Sequence, residues 1–173
     1  MIRFEHYPSF STFTNFNWLP LLEKDSYKEI IIHAIKTRVD KQELTVYGFV
    51  IMPNHMHLIF QLHDGVILAN FQRDFLKYTA KELISKYRQS GDSILDRCFV
   101  NDSDRAFQIW ERNSLHIDLF SERVFMQKLS YVHHNPIKGK WQLANSPEDY
   151  YWSSARFYET GIDDFGILTH WRE

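Results

Sequence analysis

The feature that most constrains the fold is the largely apolar stretch from Leu44 to Leu62, which a break at residues 52–54 divides in two. Both halves have the length and the apolar content of buried strands, so we predict strands at Leu44–Ile51 and His55–Leu62. Proline at position 53 cannot donate a backbone hydrogen bond, which predicts a bulge or a short break there. The apolar density of the second half favours a central strand.

The second strand begins with His55-Met56-His57. Successive side chains of a strand point to opposite faces, so the two imidazoles share one face and Met56 takes the other. Two imidazoles on one face of a rigid strand supply half of a metal site. The alternative is a strand end with two hydrogen-bonded histidines, and the spacing alone does not decide between them.

A second group of polar side chains follows about eighty residues later. The apolar spacing predicts a helix that begins after Ser121, a residue type that caps helix N-termini. Pro136 disfavours a helical conformation at Asn135, so the helix should end there. Tyr131 and Asn135 are four residues apart and would face nearly the same side. A phenol and a carboxamide would thus lie together. The residues alone favour the alternative, in which Tyr131 is a helix tyrosine packed on the sheet.

The remaining patterns predict a strand at 10–16, helices at 24–39 and 68–88, and a fourth strand at 107–111. The polar stretch 90–104 is typical of an irregular, mobile loop. Strands and helices in this order predict an α+β fold, with an antiparallel sheet and helices packed mainly on one face.

Together these motifs resemble the small single-tyrosine transposases, whose HUH motif is His, a hydrophobic residue, His. The chain has Met-Pro-Asn-His at 52–55, Tyr-x-x-x-Asn-Pro at 131–136 and Trp-Ser-Ser at 152–154, a set that looks like the REP-associated tyrosine transposases. Residues 71–79 are similar to the helix after the HUH strand of that family. The resemblance implies a ferredoxin-like fold. The length suits one domain over 1–173, and we expect residues 141–173 to form a C-terminal tail packed on it.

The resemblance also implies a reaction. Tyr131 would be the nucleophile of a single-strand DNA endonuclease and strand transferase that forms a 5′-phosphotyrosine intermediate. His55, His57 and Asn135 would hold a divalent metal, Mg²⁺ or Mn²⁺. Mn²⁺ is better matched to nitrogen ligands, and zinc also binds imidazole. Related insertion-sequence enzymes often have Gln where this chain has Asn135, whose side chain is one methylene shorter.

Single-stranded or hairpin DNA is the expected partner, bound by a monomer or a homodimer. The candidate phosphate contacts are basic or imidazole side chains near the motifs: Arg73, Lys77, His134, Lys138 and Lys140. The formal net charge of −2 does not favour nucleic-acid binding. However, residues 1–140 carry 18 basic and 16 acidic side chains. Each basic cluster is also consistent with an ordinary solvated helix face.

Two other functions are compatible with these motifs. A DNA-binding or regulatory module could retain the fold without catalysis, and a metal-dependent hydrolase could use water in place of Tyr131. The chain has a single cysteine, Cys98, and residues 1–6 lack the apolar segment of a signal peptide. No apolar run has the length of a membrane span. We therefore expect a cytoplasmic protein with no membrane partner.

Overall fold

The computed structural model describes residues 7–173. Residues 1–6, on which the expectation about a signal peptide rests, lie outside that part. The elements follow one another as β1 (Ser9–Thr14), α1 (Asp25–Asp40), β2 (Leu44–Ile51), β3 (His55–Leu62), α2 (Leu68–Ser90), β4 (Phe99–Asp102), β5 (Arg105–Phe107), β6 (Leu115–Asp118), α3 (Glu122–His134) and α4 (Ala155–Thr160). No helix within residues 7–173 is both long and apolar enough to cross a bilayer.

The main sheet has four strands in the order β2-β3-β1-β6, and each neighbouring pair is antiparallel. With α1 between β1 and β2, and α2 between β3 and β6, this is the ferredoxin-like βαββαβ arrangement. The predicted α+β fold is thus confirmed. β4 and β5 form a separate hairpin between α2 and β6.

The two long helices share one face of the sheet, as the sequence pattern predicts. Strand side chains that alternate onto this face meet α2: Phe13 contacts Phe75, and Phe60 contacts Phe71, with ring centroids 5.5 Å and 5.3 Å apart. α1 packs beside α2, where the Tyr27 ring lies 4.5 Å from that of Tyr87. The core therefore lies between the sheet and these two helices.

The shorter helix α3 covers the opposite face and packs on β2. Its Phe125 ring lies 5.8 Å from the ring of Tyr47. Tyr47 occupies the bulge where the pairing of β2 with β3 shifts between Val46 and Gly48. At Gly48 the helix comes so close that an added Cβ would stand 2.7 Å from Cδ1 of Leu129. Glycine at this position allows the close approach of α3.

The C-terminal segment pairs with the outer edge of β2. Ile51 donates its N–H to the carbonyl of Trp152 (2.9 Å), and the N–H of Ser154 donates to the carbonyl of Phe49 (3.0 Å). Further along the same edge, Thr169 donates to Val46 (2.9 Å). An exposed strand edge invites pairing with other chains, and this segment occupies the edge.

Two sequence predictions for residues 90–111 are wrong. In the predicted strand 107–111 only Phe107 belongs to a strand, because β5 ends there. The fourth strand of the main sheet is β6 instead. The stretch 90–104 is not an irregular loop, because it contains a 3-10 segment (Ser93–Cys98) and β4. β6 is a short, half-exposed edge strand, and such a strand lacks the apolar alternation on which the sequence argument relied.

We predict that Gly48→Ala lowers the free energy of unfolding by about 1–3 kcal/mol, because the new methyl group must displace buried Leu129. Denaturant titration measures the change. A double-mutant cycle with Leu129→Ala provides the control, since the truncated side chain removes the clash. The same loss in both backgrounds would contradict this account of the contact between α3 and β2.

Candidate functional site

His55 and His57 lie side by side at the start of β3, on the face of the sheet that α3 covers. Their ring centroids are 4.9 Å apart and the rings are tilted by 70°. Both residues are buried, with 7% and 3% of their surface exposed. The alternation of strand side chains thus produces the pair of imidazoles that the sequence predicts.

The Nδ1 atom of each imidazole has a hydrogen-bond partner. Nδ1 of His55 lies 2.7 Å from Oδ1 of Asn54, and the Asn54 amide nitrogen donates to the Trp18 carbonyl. An amide oxygen only accepts, so Nδ1 of His55 carries the proton and Nε2 keeps its lone pair. Nδ1 of His57 is bonded to the Thr12 hydroxyl at 2.8 Å. Such outer partners fix the orientation of metal-binding imidazoles.

Burial keeps both rings neutral at pH 7. It lowers the pKa of His55 to about 4, partly offset by a hydrogen bond with the Asn135 side chain. Burial, together with the nearby His55 and Lys128, lowers the pKa of His57 to about 3. The neutral imidazole is the form that binds a metal, so the environment favours the ligand state.

Asn135 ends α3 and faces both imidazoles. Its Nδ2 lies 3.4 Å from Nε2 of His57. The two ends of a carboxamide exchange places by a half-turn of the side chain, so the same group can present its oxygen instead. Within residues 7–173 no group of three His, Cys, Asp or Glu side chains is arranged to hold a metal ion. The donor set present is two imidazoles and one amide, which suits a divalent metal with open positions.

Tyr131 lies next to His57, one helical turn before Asn135. The two ring centroids are 5.2 Å apart, and Phe10 lies behind both rings, stacked on His57 and 6.1 Å from Tyr131. The tyrosine is 44% exposed. It is therefore not a fully buried core residue of the sheet face, and solvent or a ligand reaches it.

Lys128 also belongs to this site, although the sequence analysis did not single it out. Its Nζ lies 5.6 Å from the Tyr131 ring centroid and 4.8 Å from that of Phe10. It precedes Tyr131 by three residues and so lies on the same side of α3. The three-residue spacing from Tyr131 was the sequence signal that could have placed Lys128 at the site.

A strained loop after β1 forms another border of the site. Asn17 and Trp18 have φ angles of 51° and 55°, in the left-handed region that asparagine tolerates but a bulky residue such as tryptophan rarely occupies. Glu111 holds this conformation by accepting the Asn17 N–H at 2.7 Å. Trp18 is 61% exposed, with its ring 6.0 Å from that of His55. Strain of this kind is concentrated at functional sites, and no sequence pattern indicated it.

The predicted DNA contacts lie on two separate surfaces. His134, Lys138 and Lys140 are at or just beyond the end of α3, near the site. The Nδ1–H of His134 donates a hydrogen bond to the Ser130 carbonyl at 2.8 Å, so Nε2 is the ring nitrogen that could contact DNA. By contrast, Arg73 and Lys77 are on α2, on the opposite face of the sheet.

No protein-family model matches the chain, and no curated protein matches its sequence. Among solved structures, one of a REP-associated tyrosine transposase bound to a REP hairpin superposes with a TM-score of 0.66. The match covers 98% of this chain and 89% of that one, at 17% identity. The chain has the fold of a REP-associated tyrosine transposase. The predicted resemblance is thus confirmed in the fold.

A second similar structure is that of a protein from Deinococcus radiodurans R1 proposed to be a transposase. It matches with a TM-score of 0.49 and 12% identity, over 78% of this chain and 95% of that one.

We predict that acid destabilises the metal-free protein through its buried imidazoles. The folded-state pKa values of His55 and His57 lie below the ordinary value of 6.5, so the unfolded chain binds more protons between these values. Their contribution is complete above about pH 6.5 and is lost as the pH falls, by up to about 1.4 kcal/mol per pH unit for each ring.

Urea unfolding with a chelator, repeated from pH 7 to pH 5, measures this slope. His57→Gln should flatten it by about 1 kcal/mol per pH unit. Tyr131→Phe keeps both imidazoles and serves as the control, with an unchanged slope. Equal slopes for the native chain and His57→Gln would contradict the assignment.

Proposed function

We propose that the protein is a transposase of the REP-associated type, acting as a single-strand DNA endonuclease and strand transferase. One observation carries the proposal: the exposed Tyr131 phenol lies against His57, with Asn135 one helical turn away. The similarity in fold and the shared motifs support it. A transposase needs a nucleophile beside a group that stabilises charge on phosphate, and these residues supply both.

In the proposed reaction the Tyr131 hydroxyl oxygen attacks the phosphorus of a DNA phosphodiester. The new bond joins that oxygen to phosphorus, and the bond from phosphorus to the 3′-oxygen breaks. The phenol proton passes to solvent, which reaches this partly exposed side chain, and the departing 3′-oxygen takes up a proton. The products are a 5′-phosphotyrosyl link and a free 3′-OH. A second 3′-OH can reverse the exchange without ATP, because the link preserves a phosphodiester bond.

His55, His57 and Asn135 would hold the divalent metal, Mg²⁺ or Mn²⁺. Bound there, the metal would act as a Lewis acid toward the phosphate oxygens. The neutral imidazoles, the fixed Nδ1 atoms and the nearby amide fit this group. Thr12 and Asn54 would orient the ligands through their hydrogen bonds to Nδ1.

Lys128 would supply positive charge beside the nucleophile. Its ammonium group lies 5.6 Å from the Tyr131 ring centroid, within reach of the phenolic oxygen or of a phosphate placed next to it. A cation there stabilises the negative charge that develops on the attacking oxygen and on the phosphate in the transition state.

The proposed substrate is single-stranded or hairpin DNA. His134, Lys138 and Lys140 would contact phosphates beside the cleavage site, and Arg73 and Lys77 would contact DNA on the α2 side. The protein would act as a monomer or a homodimer. The rival functions are a non-catalytic DNA-binding module and a hydrolase that uses water.

We predict that Tyr131→Phe abolishes a covalent protein–DNA adduct while metal and DNA binding remain. The substitution removes one oxygen, and the ring still packs against Phe10 and His57, so stability should change little. Labelled hairpin-containing single-stranded DNA is incubated with Mg²⁺ or Mn²⁺. Denaturing gels detect the adduct, and mass spectrometry of its digest should find the DNA on the peptide that contains Tyr131.

Three outcomes separate the alternatives. The hydrolase rival requires that Tyr131→Phe still cuts DNA, and the binding-module rival requires that neither protein cuts. A covalent link between DNA and another tyrosine would show that this residue, and not Tyr131, is the nucleophile. The double variant His55→Ala/His57→Ala should lose cleavage through loss of the metal, and full activity in it would contradict the metal assignment.

We also predict that Lys128→Gln slows adduct formation about tenfold, equivalent to about 1.4 kcal/mol of transition-state stabilisation. Lys128→Arg, which keeps the charge, should restore most of the rate. Single-turnover kinetics separate this rate from DNA affinity, which we expect to change less. A rate equal to that of the native chain in Lys128→Gln would remove Lys128 from the mechanism.

A further inference from the structure

A groove of about 1100 Å³ lies on the far side of the molecule from Tyr131, between α2 and the β4–β5 hairpin. The hairpin strand β5 and the residues after it, up to Asn113, form the second wall. The polar stretch 90–104 is typical of a mobile loop, so no sequence pattern indicated a groove beside this hairpin.

The groove is more basic than the rest of the chain. Six basic side chains line it against two acidic ones, Asp104 and Glu111; the basic ones are Arg73, Lys77, Lys81, Arg88, Arg105 and Arg112. The whole chain has a formal net charge of −2. Lys77 and Lys81 are one helical turn apart and exposed along the α2 wall. Arg73, Arg105 and Arg112 each pair with a neighbouring aspartate, so the row on α2 that includes Lys77, Lys81 and Arg88 provides the main positive charge. Such a row complements the phosphates of a nucleic acid strand.

The groove also has apolar surface between its charges. Leu76, Ala80 and Ile84 line the α2 wall, and Phe107 lies opposite them on β5. The Arg88 guanidinium is 5.4 Å from the Phe107 ring centroid. Cations beside apolar and aromatic surface suit unpaired bases, which expose their flat faces, better than a duplex, which keeps its bases stacked inside.

One end of the groove leads toward the Tyr131 site. Glu111, which lines that end, donates its N–H to the Thr14 carbonyl at 2.8 Å and accepts the Asn17 N–H at 2.7 Å. Thr14 pairs with His55 across β1 and β3, and Trp18 borders His55. Glu111 and the loop at Asn17 and Trp18 thus connect this end of the groove with the edge of the site at His55.

We propose that this groove binds a single-stranded segment of the DNA substrate, separately from the Tyr131 site. The inference rests on the proposed function for the identity of the strand as DNA. Phosphates of the segment contact the basic side chains, and its bases lie against the apolar wall of α2 and Phe107.

The test compares two double variants that remove the same charge. Lys77→Gln/Lys81→Gln changes the groove, and Lys41→Gln/Lys86→Gln changes exposed lysines outside it. The probe is a fluorescein-labelled oligothymidylate of about 20 nucleotides, longer than one single-strand binding site. Fluorescence anisotropy at several salt concentrations gives the affinity and its salt dependence for each protein, with chelator present so that no cleavage occurs.

Loss of two phosphate contacts should reduce the slope of log K against log salt by about 1.4 in the groove variant, at about 0.7 for each contact. The matched control should keep the native slope. A groove variant with the native slope, or a control that loses as much, would overturn the proposal. A blunt duplex that competes as well as the single strand would overturn its single-strand part.

The salt dependence of binding is measured independently of the adduct at Tyr131. An adduct at Tyr131 together with a native slope in the groove variant would reject the groove and leave the proposed reaction. A reduced slope without any adduct would reject the reaction and leave a groove that binds single strands.

Discussion

The arrangement of the site depends on the close contact between α3 and the face of β2. Gly48 has no side chain, so Leu129 approaches the strand closely enough that an added methyl group would overlap it. This approach places the last turns of α3 over the start of β3. Tyr131 and Asn135 therefore lie beside His57, although more than seventy residues of chain separate each of them from it.

Burial under α3 has a chemical consequence for the imidazoles. The sheet and the helix exclude water from His55 and His57, which lowers the pKa of both rings and leaves them neutral. Tyr131 is at the rim of the same contact and stays partly exposed. One packing arrangement thus produces buried, neutral imidazoles beside an accessible phenol, which is the combination that the proposed reaction needs.

The two faces of the sheet have different properties. The face under α3 holds the candidate chemistry, whereas α2 covers the other face and presents its outer side to the basic groove. The strained loop at Asn17 and Trp18 lies between the two faces at the end of the sheet. Glu111, which also lines the groove, accepts a hydrogen bond from the Asn17 N–H of this loop. A small domain with a formal net charge of −2 can thus concentrate basic side chains along one groove, where complementarity with phosphate is local.

The sequence by itself determined the elements with strong periodicity. The strands of the 44–62 stretch and the shared face of His55 and His57 follow from local chain geometry. The α-helical part of α3 ends at His134, but Asn135 keeps helical φ and ψ angles of −54° and −43° and begins a 3-10 turn, so the expectation that Pro136 moves Asn135 out of the helical region is wrong. The tertiary structure alone decided that β6 completes the sheet, that Lys128 joins the site and that Trp18 is strained beside His55. These features depend on contacts between distant residues, and no local spacing encodes such contacts.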